Sequence, residues 1–317
     1  MAVEISEDIP SGGRRLGDRG LRLLATATAL LVGLVLVLIV IKVVQGAWAS
    51  IEQFGASFIT TSAWNPVTNQ FGARDLIIGT LLTSIIALLL AVPIGIAIGL
   101  FLSELAPGYL RTPIGMLVEL LAAIPSVILG LWGIIVMGPF LAEHIEPWLN
   151  DHLGFIPFFK GYPSPSGLLP ACLILTIMVV PIVASISREL FTSVPSDLKQ
   201  GAMALGSTRW EMIRSVAIPQ VGGGIIAGTM LGFGRAAGEA IAVTQVIGGS
   251  LSFPKNIYAS GNTMASMLAS QYQGAATALQ KSSLVYLAVI LLVISLITNV
   301  CAQLIVRRMN AKREARA

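Results

Sequence analysis

The sequence predicts an all-α membrane protein with six transmembrane helices, on three observations. Hydrophobic residues make up 55% of the 317 residues and charged residues only 11%, against about 25% charged in a soluble domain. The mean hydropathy is +0.83. Six apolar runs are each long enough to cross a hydrocarbon core, which takes about 20 helical residues. An ordinary globular domain is therefore excluded. The net charge of +4 would suggest nucleic acid in a soluble chain. Here the charges flank apolar runs and serve orientation, so the expected surroundings are a lipid bilayer and no nucleic acid is expected.

Taken in order, residues 1–20 are rich in glycine and charge with no apolar period, which predicts a mobile tail. The first span is 21–44. Arg14, Arg15, Arg19 and Arg22 before it and Ala47-Trp48-Ala49 after it resemble a signal peptide, but the run exceeds the about 7–15 residues of a signal core. It reads as an uncleaved helix, followed by an outer loop to residue 73. The core, 74–306, contains further spans at 76–102, 114–136, 168–186, 221–247 and 284–306, and a basic tail covers 307–317. Pro93, Pro125 and Pro181 fall inside the second, third and fourth spans, where they bend helices or free backbone groups that neighbours must satisfy. Of the 20 Lys and Arg, 14 fall on the side of the two termini, five on the other, and Arg235 within a span. Both termini are thus expected in the cytoplasm.

The fifth run organises the rest, because Arg235 and Glu239 lie inside it. An Arg or Glu near a bilayer centre costs about 2.5–3.5 kcal/mol on insertion scales, so such charges face protein or water. On a continuous helix the two share one face a turn apart, with Gly224 and Gly228 within about 20° of Arg235. Gly224, Gly228 and Gly232 form overlapping GxxxG steps, and Gly234 with Gly238 adds another, which predicts a close-packed seam holding the pair. One reading is an internal salt bridge that fixes packing. The other is a substrate path, since a guanidinium fork suits phosphate or carboxylate and Glu239 would hold it when no anion is bound.

Cys172 and Cys301 sit in apolar runs and read as small core residues, without disulfide or metal roles. His144 and His152 share one polar loop without the further ligands a zinc site needs, and read as surface residues. The outer connections are rich in Pro, Gly and aromatics, and either dock a partner or cap the bundle.

Between the fourth and fifth spans, 196–219 reads as two short helices. Ser196 is placed to cap the first and Gly206 to end it; Thr208 and Glu211 match a capping box opening the second, which Pro219 stops. Such an ordered loop is a docking knob, and Arg209, Glu211 and Arg214 argue against an amphipathic membrane-surface element.

Gln200-Gly201-Ala202, then Gly206, then Val216, Ile218 and Pro219 resemble the EAA loop of ATP-binding-cassette importer permeases. That pattern is Glu-Ala-Ala, three residues, Gly, nine residues, Ile, one residue, Leu-Pro. The one departure that touches an expected contact is the missing carboxylate at Gln200. The resemblance implies a type I importer permease architecture of the MetI-like kind, with 200–206 forming the coupling helix seated in a cleft of a cytoplasmic ATPase.

Three further stretches together resemble the PstC type of phosphate importer permease: Ser103-Glu-Leu-Ala-Pro-Gly, Ala123-Ile-Pro-Ser-Val-Ile-Leu-Gly-Leu-Trp-Gly133 and Gly232-Phe-Gly-Arg-Ala-Ala-Gly-Glu-Ala-Ile-Ala-Val243. That family carries an Arg and a nearby Glu that map onto Arg235 and Glu239. The resemblance covers roughly residues 74–306. It implies a non-catalytic permease in the inner membrane, a PstA-type second permease, two ATPase copies, and an extracytoplasmic phosphate-binding protein delivering inorganic phosphate. No Gly-x4-Gly-Lys-Ser/Thr occurs, so no cofactor is expected here and ATP would be bound by the partner ATPase. Two rivals stand beside this reading. One is an importer for another oxyanion such as sulfate or molybdate; the other is an ion-gradient-driven anion transporter using Glu239 as proton carrier.

Overall fold

A computed structural model describes residues 11–314 of the backbone and side chains over 20–308. Six helical segments are long and apolar enough to cross a membrane. They are α1 (Ser11–Phe54), α2 (Arg74–Leu105), α4 (Ser126–Leu153), α5 (Leu168–Ser193), α7 (Arg209–Gly238) and α10 (Ala278–Glu314), the crossing part of α10 ending at Arg308. Shorter helices stand between them: α3 (Gly108–Ala123), α6 (Ser196–Ala204), α8 (Ile241–Val246) and α9 (Met264–Gln271). One antiparallel pair of two-residue strands, β1 (Trp64–Asn65) and β2 (Gln70–Phe71), lies in the loop after α1.

The core forms around α5. Its most apolar window is 67% buried, against 0% for α1, because glycines on both neighbours receive its side chains. On α2, a Cβ at Gly95 would lie 2.7 Å from Val183 and one at Gly99 2.6 Å from Ser187. On α7, Gly224 meets Leu190, Gly228 meets Ile186 and Gly232 meets Val179. Helices in lipid gain little from hydrophobic exclusion and associate through such close contact. α1 packs on α10, with Ser50 bonded to Ser282 and Ser283 at 3.0 and 3.1 Å, and α10 in turn packs on α7 and α9.

Several expectations are corrected. The mobile tail assigned to 1–20 lies outside the described residues up to 10. From Ser11 the chain is helical, since no proline interrupts it and an existing helix extends at one hydrogen bond per residue. The basic tail likewise begins as the end of α10, with 315–317 outside the described residues. The apolar run 114–136 is two helices: Ile124 and Pro125 are extended, with ψ of 125° and 136°, because the residue before a proline is pushed out of helical geometry. The third crossing is therefore Ser126–Leu153.

Pro219 does not stop a helix. A wide turn over Ile213–Ala217 carries the chain on, the Ile218 N–H reaching Ile213 O, so the missing proline donor falls where the ladder is already shifted. Cys172 is buried as expected, whereas Cys301 is exposed on the outer face of α10. His144 and His152 are exposed, bonded at 3.3 and 2.9 Å to carbonyls one turn back.

The outer loops largely cap the bundle. Phe58 stacks on Tyr286 with centroids 4.6 Å apart, and Trp64 and Phe71 complete the cluster. Tyr258 is buried and its hydroxyl donates to Phe159 O at 3.0 Å, clipping two outer loops together. Burial and the Glu146 carboxylate push that phenol above its ordinary pKa.

Candidate functional site: a charged helix break and an ordered loop knob

The fifth run is not one continuous helix. α7 ends at Gly238, Glu239 is extended with φ −69° and ψ 118°, and α8 starts at Ile241. The offset is fixed by α4, whose glycines seat α8: a Cβ on Gly130 would lie 2.8 Å from Ala242 Cα, and one on Gly133 2.8 Å from Val246. The Gly-Leu-Trp-Gly stretch is thus the cradle of the broken helix.

Both charges sit at helix ends that favour them. Arg235 lies in the last turn of α7, where the helix dipole is negative, and Glu239 lies ahead of α8, whose first N–H groups are unpaired. Glu239 Oε1 accepts from the Ala242 N–H at 3.2 Å. Its other oxygen, Oε2, is 3.8 Å from Arg235 Nη2, an ion-pair contact too long for a hydrogen bond. Glu239 is 8% exposed and Arg235 49%.

The predicted seam closes only in part. It holds Gly224, Gly228 and Gly232, whereas Gly234 and Gly238 meet nothing within 4 Å. Arg235 therefore opens outward from the chain instead of lying inside the helix contact, because the helix breaks just beyond it. Its guanidinium keeps its donors free of hydrogen bonds among the described residues. Such a group can take an anion in bidentate fashion while Glu239 stays fixed as a cap.

The knob between α5 and α7 is ordered by local chemistry. Gly206 has φ +88° and donates its N–H to Met203 O at 3.0 Å, which turns the chain out of α6. Ser207 Oγ then returns to Ala202 O at 2.6 Å. Thr208 and Glu211 form the predicted capping box, with bonds of 2.7 and 3.3 Å. Ser196 is not the cap of α6: Pro195 precedes the helix, and the Ser196 hydroxyl bonds Asp197. Gln200, Gly201 and Gly206 are exposed, Ala202 is half-buried on the cluster around Val194 and Met212, and Leu205 is 90% exposed. An exposed leucine at the tip of a braced loop suits insertion into a partner's groove.

The family described as binding-protein-dependent transport system inner membrane component matches residues 91–311. The chain belongs to this family. Among its relatives is the phosphate transport system permease protein PstC of Haemophilus influenzae, 44% identical over 89% of this chain and 90% of that one. The protein of the same name from Mesorhizobium japonicum is 42% identical over 99% and 97%. Among solved structures, a bacterial alginate transporter in complex with its periplasmic protein aligns with a TM-score of 0.61 at 17% identity, covering 92% of this chain and 97% of that one. The inward-facing MetNI methionine transporter aligns with a TM-score of 0.53 at 18% identity, over 73% and 93%. These establish the ABC importer permease fold, and the chain is a multi-pass membrane permease.

One contact of this permease was not foreseen. Lys199, on α6, donates to Glu104 Oε1 at 2.6 Å and to Phe191 O at 2.9 Å, which ties the knob to the end of α2 and to α5. Glu104 belongs to the Ser-Glu-Leu-Ala-Pro-Gly stretch. A carboxylate closing an apolar span, with a lysine in a later loop on the same side, was the available signal, but 95 residues separate the two.

Proposed function

We propose that this chain is a permease subunit of an ATP-driven inorganic phosphate importer. It forms the translocation path together with a second, PstA-type permease, and two copies of a cytoplasmic ATPase dock on its knob and on its partner's. An extracytoplasmic phosphate-binding protein delivers the substrate, and both termini lie in the cytoplasm of a cell whose inner membrane holds the complex. The chain itself has no catalytic role; ATP is bound by the ATPase.

The observation that carries this reading is Arg235: a half-exposed guanidinium at a helix break, with one loose 3.8 Å contact, in a chain similar over nearly its whole length to phosphate permeases. A structural ion pair would be held at hydrogen-bond distance. The arrangement supports transient capture of a phosphate oxyanion, with Glu239 re-engaging the guanidinium once the anion leaves. The rival role for Glu239 as a proton carrier is weakened by its bond to Ala242 N–H, which holds the carboxylate in place as a cap.

The test is ATP-dependent phosphate uptake by the reconstituted complex. Arg235→Lys keeps the charge and loses the planar fork, so transport should fall while assembly persists. Wild-type uptake at normal protein level would remove Arg235 from the path. Uptake driven by a proton gradient without ATP would overturn the importer reading, and competition by sulfate or molybdate as strong as by phosphate would overturn the substrate.

A further inference from the structure

We propose that Gln245, on α8, is a second contact for the transported phosphate, placed across the helix break from Arg235; the proposal rests on the substrate path read at that arginine. Along α7 the exposed positions Leu231, Gly234, Arg235 and Gly238 follow one another at helical spacing, and Ile241 carries the same strip onto α8. At about 100° per residue, Gln245 falls about 40° from Ile241 and about 60° from the buried Ala242. It stands at the edge of the strip. Its side chain is seated by α4, since a Cβ on Gly130 would lie 3.1 Å from the Gln245 Cδ. The amide is half-buried and, among the described residues, makes no hydrogen bond. Thr244 beside it is satisfied within the helix, its hydroxyl donating to Ala240 O at 2.6 Å.

A glutamine amide carries two N–H donors and an acceptor oxygen, and holding them half-buried without a partner costs stability. The strip says what completes them. A second permease closing over this face would meet a guanidinium and an open amide in one continuous line, and the acid beside them, Glu239, is already held by the Ala242 N–H at 3.2 Å. Inside a membrane such groups face water and not lipid or a dry helix contact. The strip is therefore a wet lining, and an anion travelling to or from Arg235 on the side remote from the knob passes Gln245. The amide suits that position. It donates to an oxyanion without adding a second fixed charge, so the anion is steadied and not trapped, and its oxygen can accept the O–H that inorganic phosphate keeps near neutral pH.

The experiment uses the assembled transporter, reconstituted with its second permease, ATPase and phosphate-binding protein. Loss of one hydrogen bond to an anion should slow ATP-dependent phosphate uptake about tenfold in Gln245→Leu. Gln245→Glu sets a like charge against the anion and should slow uptake further, and both variants should retain the second permease on purification. A second measurement reads water instead of transport. In a Cys301→Ser background, which removes the exposed native thiol, Gln245→Cys should react with a water-soluble methanethiosulfonate in the assembled complex, and inorganic phosphate should slow the reaction. Val243→Cys, on the buried face, should stay unreactive. Wild-type uptake by Gln245→Leu would overturn the proposal. So would a Gln245→Cys as inert as Val243→Cys, or loss of the second permease from Gln245→Glu alone, since the amide would then belong to a dry permease contact. Impaired Arg235→Lys with normal Gln245→Leu would strike Gln245 and leave the path standing, whereas normal uptake by Arg235→Lys would remove the path itself.

Discussion

Lys199 links the knob over 196–212 to the membrane helices, and its removal tests whether the knob is held by this contact. The pair with Glu104 is 2.6 Å long, and the two side chains are only 19% and 11% exposed. A charge-assisted hydrogen bond in such a place contributes about 1.5–3 kcal/mol. In Lys199→Met both Nζ bonds vanish, but Glu104 and Phe191 O can regain water, which puts the net loss near the lower side, about 2 kcal/mol. If the knob frays independently of the bundle, its open population rises about 30-fold. Glu104→Gln keeps the bond to Phe191 O and should cost about 1 kcal/mol, roughly fivefold.

Hydrogen–deuterium exchange of the detergent-solubilised protein measures this directly, comparing peptides from α6 with peptides from α5. Exchange over 196–204 should accelerate by those factors while α5 keeps its protection. The double variant should resemble Lys199→Met, since both substitutions remove one interaction. A change below about twofold over α6 in Lys199→Met, with α5 unaltered, would refute the tether. The knob would then be held by the Gly206 turn and the capping box alone.

Three other outcomes follow from the same geometry. Gly206→Val places a β-branched residue at φ +88°, so the knob should distort and co-purification of the ATPase should fall while the chain stays inserted. Gly228→Leu drives a side chain into Ile186, only 2.9 Å from the Cβ position, and should lower thermal stability by about 1–3 kcal/mol, whereas Gly234→Ala, with nothing within 4 Å, should leave the isolated chain unchanged or more stable. Thiol labels at Lys160→Cys and Arg308→Cys should react from opposite sides of the membrane, and same-side labelling would sink the six-span topology.

The number of crossings was legible because composition and run length alone specify it; their ends were not. Hydropathy cannot see that Ile124 turns extended ahead of Pro125, nor that a wide turn at Ile213–Ala217 lets the fifth helix begin at Arg209, inside the preceding loop. The glycine spacing on α7 correctly announced a packed face at Gly224, Gly228 and Gly232. It failed at Gly234 and Gly238, because helical periodicity carries a face past a break that the sequence does not mark. The knob was read well, since Gly206, Thr208 and Glu211 act on their immediate neighbours. The Lys199–Glu104 bridge depends on the packing of α2 against α5 and could emerge only with the fold.

The break at Glu239 brings together what the sequence presented as alternatives, a structural pair or a substrate path. On a continuous helix, Arg235 and Glu239 would chiefly satisfy each other. With α7 ending at Gly238 and α8 seated on Gly130 and Gly133, each charge has a separate anchor: Arg235 the negative end of α7, Glu239 the open N–H of Ala242. Neither needs the other at hydrogen-bond distance, and the 3.8 Å separation reflects that. A cation stabilised by its own helix end can remain half exposed without a tight partner. That is the condition for binding a passing anion and releasing it again, since capture displaces only a loose contact. Glu239→Gln separates the two functions, because the amide oxygen still accepts from Ala242 while no longer competing for Arg235. A fold that tolerates this change but releases phosphate slowly would show the carboxylate acting as the competitor that clears the site.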